Sequence, residues 1–474
     1  MLLFWLVLLP LASSALAYFG PTRRARHALL LGTGLAHASG VAWIWGHQTL
    51  VVFGGWLAVD ALGLLVLTVV SVLFLAIGAY AVGFLALDRP GGGHLFVTCL
   101  LGFLAAATLV CLAHHLALVW IGMEATTLAL APLVFHRRDR RSLEAVWKYL
   151  VLSSVGIGLA LLGTFFLASA QVQGRPLVLE DLLRHAETLQ PALLRGAFIF
   201  LLVGYGTKMG LAPLHAWKPD TYGEAPSLVA GLMAGALTSC AFLGLARGVE
   251  IMAAAGQFAF MRPPLLALGL ASLVVSAAFI IGQTDLKRML AYSSIEHMGI
   301  LVLALAIGGA GSYGAVLHLI SNGFSKGLMF LAVGNVVLFY RTSEATAIRG
   351  VLRRAPWTGV LLLIGLFAVT GSPPFGLFVS EITILGAAIH GGYIWLAAVV
   401  MVLFAVIFVG MAKMILDVVW GEPLDPSGPA RERVSLIGGP LALAALVLML
   451  GLYLPGPLRL ALSEAARALG GSTP

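Results

Sequence analysis

Apolar runs long enough to cross a bilayer fill almost the whole chain, at residues 2–19, 28–46, 56–86, 95–113, 115–135, 147–170, 194–217, 225–246, 264–282, 290–308, 313–340, 357–388, 393–416 and 435–454. A helix rises 1.5 Å per residue, so about 20 apolar residues cover roughly 30 Å of hydrocarbon. The pattern predicts an all-α integral membrane protein of about fourteen transmembrane helices (spans 1–14). Span 1 ends in Ala12-Ser-Ser-Ala-Leu-Ala17 and imitates a secretory signal, but no basic residue precedes its apolar core and Arg23, Arg24 and Arg26 follow it. That arrangement is expected of a retained helix.

Composition removes the soluble alternatives. Hydrophobic residues make up 60% of the 474 and charged residues 10%, with a mean hydropathy of +1.01, against about 25% charged in an ordinary soluble domain. Glycine (56) and proline (21) are abundant, so closely packed or broken helices are expected. Cys99, Cys111 and Cys240 lie far apart in sequence inside apolar runs. They give neither a disulfide framework nor a paired-cysteine metal or iron–sulfur motif, and no redox cofactor is expected. The net charge of +8 does not imply nucleic acid, because the basic residues sit in short loops between spans. They orient the chain in a lipid bilayer.

The loops that follow odd-numbered spans hold eighteen Lys and Arg residues, and the alternate loops with the C-terminal tail hold seven. Basic loops stay in the cytoplasm, so both termini are expected on the non-cytoplasmic side. These positions use 25 of the 28 basic residues, which leaves Lys208, Lys326 and Lys413 inside spans. A lysine at mid-bilayer costs about 2.5–3.5 kcal/mol on insertion scales. Lys413, near the cytoplasmic end of span 13 and four residues before Asp417, is within snorkelling reach of the surface.

The same sorting of carboxylates leaves Glu124 and Glu381 deep in spans, with Glu296 nearer a helix start. Glu124 lies nine residues beyond His115, about 14 Å along its helix, and Lys208 comes to a similar depth. An ion pair across spans 5 and 7 is therefore expected. The alternative is a structural acceptor beside Thr126 and Thr127, with the lysine as its counter-ion. Adjacent His114 and His115 point to different helix faces and read as interfacial residues, not metal ligands.

Span 11 places His318, Asn322 and Lys326 at i, i+4 and i+8, with Ser321 and Ser325 alongside. Such a face can hold a file of water beside a group that titrates near neutrality; the alternative is polar packing between helices. Span 7 is interrupted at Gly206-Thr-Lys-Met-Gly-Leu-Ala-Pro213-Leu-His215 and span 12 at Gly371-Ser-Pro-Pro-Phe-Gly-Leu-Phe-Val-Ser-Glu381. Proline frees carbonyls that lipid cannot satisfy, so both breaks should line a hydrated cavity. Lys208 lies about 113 residues from the start of span 4, and Glu381 about 117 from the start of span 9. Five helices per unit reverse the polarity of the second unit, the pattern of inverted repeats. The expected organisation is 1–93 for spans 1–3, 94–247 and 248–418 for two inverted five-helix repeats, each with a broken helix, and 419–474 for a cytoplasmic loop, span 14 and tail.

The segments Leu116-Ala-Leu-Val-Trp-Ile-Gly-Met-Glu124, Thr207-Lys-Met-Gly-Leu-Ala-Pro-Leu-His-Ala-Trp-Lys-Pro-Asp220 with Glu224-Ala-Pro226, and Asp285-Leu-Lys-Arg-Met-Leu-Ala-Tyr-Ser-Ser294 with Glu296-His-Met-Gly299 join the span 11 stripe in a wider resemblance. Over nearly its whole length the chain resembles the antiporter-like proton-conducting subunits of respiratory complex I, group 4 hydrogenases and Mrp-type cation/proton antiporters. The wording around Ser293–Gly299 and Pro373–Glu381 looks most like component F of hydrogenase-4.

The resemblance implies that Glu124 and Lys208 pair in a first half-channel, Lys326 is the central relay, His318 its neighbour and Glu381 the terminal group of the second half. Asn322 and His215, in the stripe and in the first break, join that expected pathway. Many relatives carry a lysine in span 8 where this chain has Thr238-Ser239-Cys240, so the link from Lys208 to Lys326 is expected to run through hydroxyls such as Ser239 and water. The resemblance further implies a multi-pass subunit of the cell inner (plasma) membrane. Its partners would be the other membrane and soluble subunits of a redox-driven complex, and it would have no catalytic site of its own. An Mrp-type antiporter subunit exchanging protons for sodium, the membrane subunit of an inorganic-carbon uptake complex, and a scaffold are the rival readings. No long lateral helix of the kind in the largest complex I member is expected, and Leu177–Arg195 reads as an amphipathic outer helix or a disordered loop.

Overall fold

The computed structural model describes residues 2–20, 22–47, 50–87, 93–171, 175–422, 428 and 430–471. It is almost wholly helical, and every span has its counterpart. Continuous helices form span 1 (Leu2–Phe19), span 2 (Arg23–Ile44), span 3 (Ala61–Leu87), span 4 (Gly93–Leu112), span 5 (Leu116–Val134), span 6 (Arg140–Ala170) and span 8 (Ser227–Ala254). Span 9 (Phe258–Ile280), span 10 (Leu286–Ile307), span 11 (Ala310–Tyr340), span 13 (Ile394–Val419) and span 14 (Val434–Leu452) are continuous too. Span 2 is less apolar than the others, yet it packs between spans 1 and 3 and buries His37 against Ser71 and Thr108 at 3.0 and 2.9 Å.

Spans 7 and 12 are broken where proline and glycine coincide. Span 7 runs Pro191–Met209 and resumes at Trp217–Glu224; span 12 runs Pro356–Val369 and resumes at Gly376–His390. The first half-helix of span 7 stops at Gly210, whose φ of +77° is a left-handed conformation suited to glycine. A Cβ there would come 2.6 Å from Cδ of Lys218. Gly371 (φ +60°) plays the same part in span 12, where a side chain would strike the carboxylate of Glu381. Each break holds one cis peptide bond, Ala212–Pro213 and Pro373–Pro374.

Spans 8, 10 and 11 form the centre and are buried along nearly their whole length, with spans 3 and 14 packed on span 11. Trp5 and Leu16 of span 1, Trp147 and Phe165 of span 6, and Trp395 and Val409 of span 13 face outward. Large apolar side chains on the outside are what lipid or a membrane partner would cover. Lys413 and Asp417 are exposed, as expected of a snorkelling lysine.

Three features differ from expectation. The 177–195 segment is a short helix Leu179–Arg184 and one turn Ala186–Thr188, because Pro191 fixes the start of the next helix and its leucines turn inward, Leu179, Leu182 and Leu189 being buried. After span 14 a helix Gly456–Ala468 lies against spans 3 and 11 and buries Ala461, Leu462, Ala465 and Ala466. Finally, Cys111 and Cys240, remote in sequence, meet thiol to thiol where spans 4 and 8 pack.

Candidate functional site

Glu124 and Lys208 are joined through a hydroxyl instead of by direct contact. Lys208, the penultimate residue of the first half-helix of span 7, is fully buried and donates to Oγ1 of Thr127. Thr127 stands one turn beyond Glu124 on span 5, and its hydroxyl lies 3.5 Å from Glu124 Oε2 and 3.2 Å from the Met123 carbonyl. Ser154 of span 6 donates to the other carboxylate oxygen at 2.8 Å. The Lys208 ammonium also sits 5.0 Å from the centre of the Tyr149 ring, a cation–π distance.

The second half repeats this unit. Lys326 of span 11 is fully buried and donates to Oγ of Ser293 at 2.6 Å. Ser293 donates to Oε2 of Glu296, three residues on along span 10, at 3.3 Å. Glu296 is thus no helix-start residue: it is buried at mid-helix and takes the place in the second half that Glu124 has in the first. A hydroxyl accepts and donates at once, so each unit can hand a proton between lysine and carboxylate.

Beyond Lys326, Nε2 of His318 faces Nδ1 of His297 at 3.1 Å, and Nδ1 of His318 contacts Ser380 Oγ at 3.0 Å. Nε2 of His297 is held by the Val369 carbonyl, the last residue before the span 12 break, at 3.1 Å. Glu381 lies next to Ser380, and donor atoms of His297, His318 and Glu381 come within 4.8 Å of one another. Among the described residues this is the group close enough to share an ion. Its ring nitrogens already bond to each other and to the carbonyl, which favours proton exchange within the group over metal ligation.

Asn322 is fully buried, and among the described residues neither its Oδ1 nor its Nδ2 has a partner; the same holds for Oγ of Ser321 and Ser325. Buried polar groups left unserved by protein are the kind that water serves. Ser239 turns its hydroxyl to the Gly235 carbonyl at 2.6 Å. His215 sits in the span 7 break, partly exposed, with Nδ1 unpartnered. Neither hydrogen-bonds to Lys208 or Lys326.

Two lysines and one arginine assigned to loops by the basic-residue count are buried. Lys218, in the second half-helix of span 7, donates to the Met209 carbonyl at 2.6 Å and lies 3.4 Å from the Ser294 carbonyl. Lys287 donates to the Ala225 carbonyl at 3.0 Å. Two residues beyond Lys218, Asp220 accepts from Lys148 at 2.7 Å and Arg288 at 2.5 Å on the wall of a polar cavity of about 430 Å³. At the far end of span 8, Arg247 reaches both oxygens of Asp60 at 2.8 and 2.6 Å and Glu250 at 3.2 Å, with His114 3.2 Å from Asp60. Burial resists ionisation of Asp60, but the charge and hydrogen bonds of Arg247, helped by His114, outweigh it and hold the carboxyl well below the usual range.

Residues 113–408 match the family model described as NADH:quinone oxidoreductase/Mrp antiporter, TM. The chain is 36% identical over 352 residues to a hydrogenase-4 component F homolog of Methylacidiphilum infernorum, covering 72% of each. It is 30% identical over 388 residues to NADH-quinone oxidoreductase subunit N of Thiobacillus denitrificans, covering 77% of this chain and 75% of that one. It matches a chain of the membrane-bound sulfane sulfur reductase, an archaeal respiratory membrane complex, with a TM-score of 0.89 at 23% identity over 98% of this chain and 97% of the other, a likeness of fold.

Proposed function

The chain belongs to the NADH:quinone oxidoreductase/Mrp antiporter transmembrane family, and from that premise we propose that it is the proton-conducting membrane subunit of a redox-driven complex of the hydrogenase-4 or complex I kind. One observation carries the reading. Two carboxylate–hydroxyl–lysine units, Glu124–Thr127–Lys208 and Glu296–Ser293–Lys326, stand inside the helix bundle, all six residues buried but the half-buried Glu124. Each costs insertion energy that packing alone does not require.

In this reading a proton enters from the cytoplasmic face near Asp220 and passes between Lys208 and Lys326. It then follows the water file along Asn322 to the His318, His297 and Glu381 group. Ser239 and His215 lie beside the route, without a hydrogen bond to Lys208 or Lys326. The two five-span units, 94–247 and 248–418, would each supply one half-channel; span 8 runs on to Ala254, so their join is proposed in the loop after it. Both termini are proposed on the non-cytoplasmic side of the inner membrane, and electron-carrying groups are assigned to partner subunits.

The test is the purified complex in vesicles with a lumenal pH dye. Driven acidification should persist in sodium-free medium and vanish in Lys208→Ala/Lys326→Met. Flux that requires sodium, or that survives the double variant in an assembled complex, would overturn the reading.

A further inference from the structure

We infer that Lys218 carries the proton between the two half-channels, from the second half-helix of span 7, in a chain whose span 8 has no lysine to do so. The inference rests on the conduction proposed above and names its central carrier. Lys218 is fully buried, and its side chain runs back over Gly210, where a Cβ would come within 2.6 Å of its Cδ and 3.2 Å of its Nζ. Glycine at that turn therefore does two things: it ends the first half-helix and opens the passage that the lysine occupies.

The ammonium spans the gap between the two units. One of its carbonyl partners belongs to Met209, the neighbour of Lys208, and the other to Ser294, the neighbour of the Ser293 that holds Lys326. Among the described residues no carboxylate forms an ion pair with it. A buried ammonium of purely structural use is ordinarily paired, because leaving it unpaired costs several kcal/mol. Carbonyl oxygens hold the charge but cannot take the proton. The hydroxyls of Ser294 and Tyr222, on the same two helices, are buried and pair with each other, and the ammonium lies 5.7 Å from the Tyr222 ring centre. Proton acceptance and release are therefore open on its hydroxyl side while the carbonyls keep the side chain in register.

Arginine and histidine separate this role from a fixed anchor. Guanidinium keeps a positive charge but does not release its proton in proteins, whereas imidazole is shorter but titrates. In the purified complex in vesicles, Lys218→Met and Lys218→Arg should both lower proton flux about 100-fold, the typical share of a positioned proton-transfer group. Lys218→His should recover a measurable part, and size-exclusion profiles of the complex should stay unchanged. Flux retained in Lys218→Arg, or in assembled Lys218→Met, would overturn the relay while leaving conduction through the other residues intact. A parent complex that moves no protons under the same drive would sink both the conduction and its carrier.

Discussion

Thr127→Val is the substitution that most directly probes how Glu124 and Lys208 communicate. Valine keeps the shape of threonine and removes only the hydroxyl. Among the described residues that hydroxyl is the one hydrogen-bond acceptor of Lys208, whose ammonium also lies 5.0 Å from the Tyr149 ring centre. Glu124 would keep the 2.8 Å bond from Ser154 and lose the 3.5 Å link toward the lysine. Hydrogen bonds to charged groups contribute about 1.5–3 kcal/mol. Each 1.36 kcal/mol added to a barrier slows a step tenfold, so flux should fall about 10- to 100-fold. Thr127→Ser should restore it. The control is Thr126→Val, because among the described residues the Thr126 hydroxyl bonds to the Met123 carbonyl alone, at 2.6 Å; it should cost about 1 kcal/mol of stability and leave flux unaltered. The assay is dye-reported proton uptake by vesicles holding the intact complex, with assembly followed by size exclusion. Undiminished flux in assembled Thr127→Val would refute a hydroxyl bridge and return the two charges to direct exchange or to a structural role.

Other outcomes follow from neighbouring groups. Lys326→Met should abolish flux with assembly intact, since methionine fills the space without a titratable group; loss of the folded complex instead would favour a packing role. Glu124→Gln should depress flux strongly and Glu124→Asp should keep part of it, measured in the same vesicles. Cysteines at the exposed positions Arg141 and Glu344 should react with an impermeant maleimide only from the cytoplasm, and one at Glu187 only from outside; the reverse labelling would overturn the orientation. Asp60→Asn should lower the Tm of the solubilised complex, with a stability loss below the roughly 3–5 kcal/mol of a buried charge left unpaired, because Glu250 still faces Arg247. As the native Asp60 carboxyl is held low, its contribution is full above the unfolded value near 3.9 and fades only as pH falls through the lower folded value. Parent and variant melting curves should therefore converge in strong acid and nowhere else.

Spans and breaks could be read from sequence because their causes are local. Apolar length sets a crossing helix, and Pro213 with Gly210, or Pro373 and Pro374 with Gly371, stops one. Side-chain partners are a property of packing and left no such trace: Thr127 reads as a residue beside Glu124 until span 7 brings Lys208 to it. Lys218 and Lys287 fall between apolar runs and so count as loop residues, yet the structure buries both, Lys218 against the Met209 carbonyl and Lys287 against the Ala225 carbonyl. Glu296 did leave a signal. It falls about 32 residues after the expected start of span 9, as Glu124 falls about 29 after that of span 4, so the repeat offset that links Lys208 with Glu381 also links the two carboxylates. Cys111 and Cys240 show the converse, since sequence distance said nothing about two thiols on facing helices.

The hydroxyls of Thr127 and Ser293 carry one hydrogen each, and that has a kinetic consequence. Each lies within hydrogen-bond reach of its lysine on one side and its carboxylate on the other. When a proton passes, the hydroxyl surrenders its own hydrogen on the carboxylate side and keeps the incoming one on the lysine side, so it is left facing backwards. Until its C–O bond rotates, a second proton finds no acceptor lone pair. Every transfer thus imposes a refractory interval on its own unit, and two such units in series make each following forward proton wait for two independent rotations, a spacing in time set by the valence of oxygen.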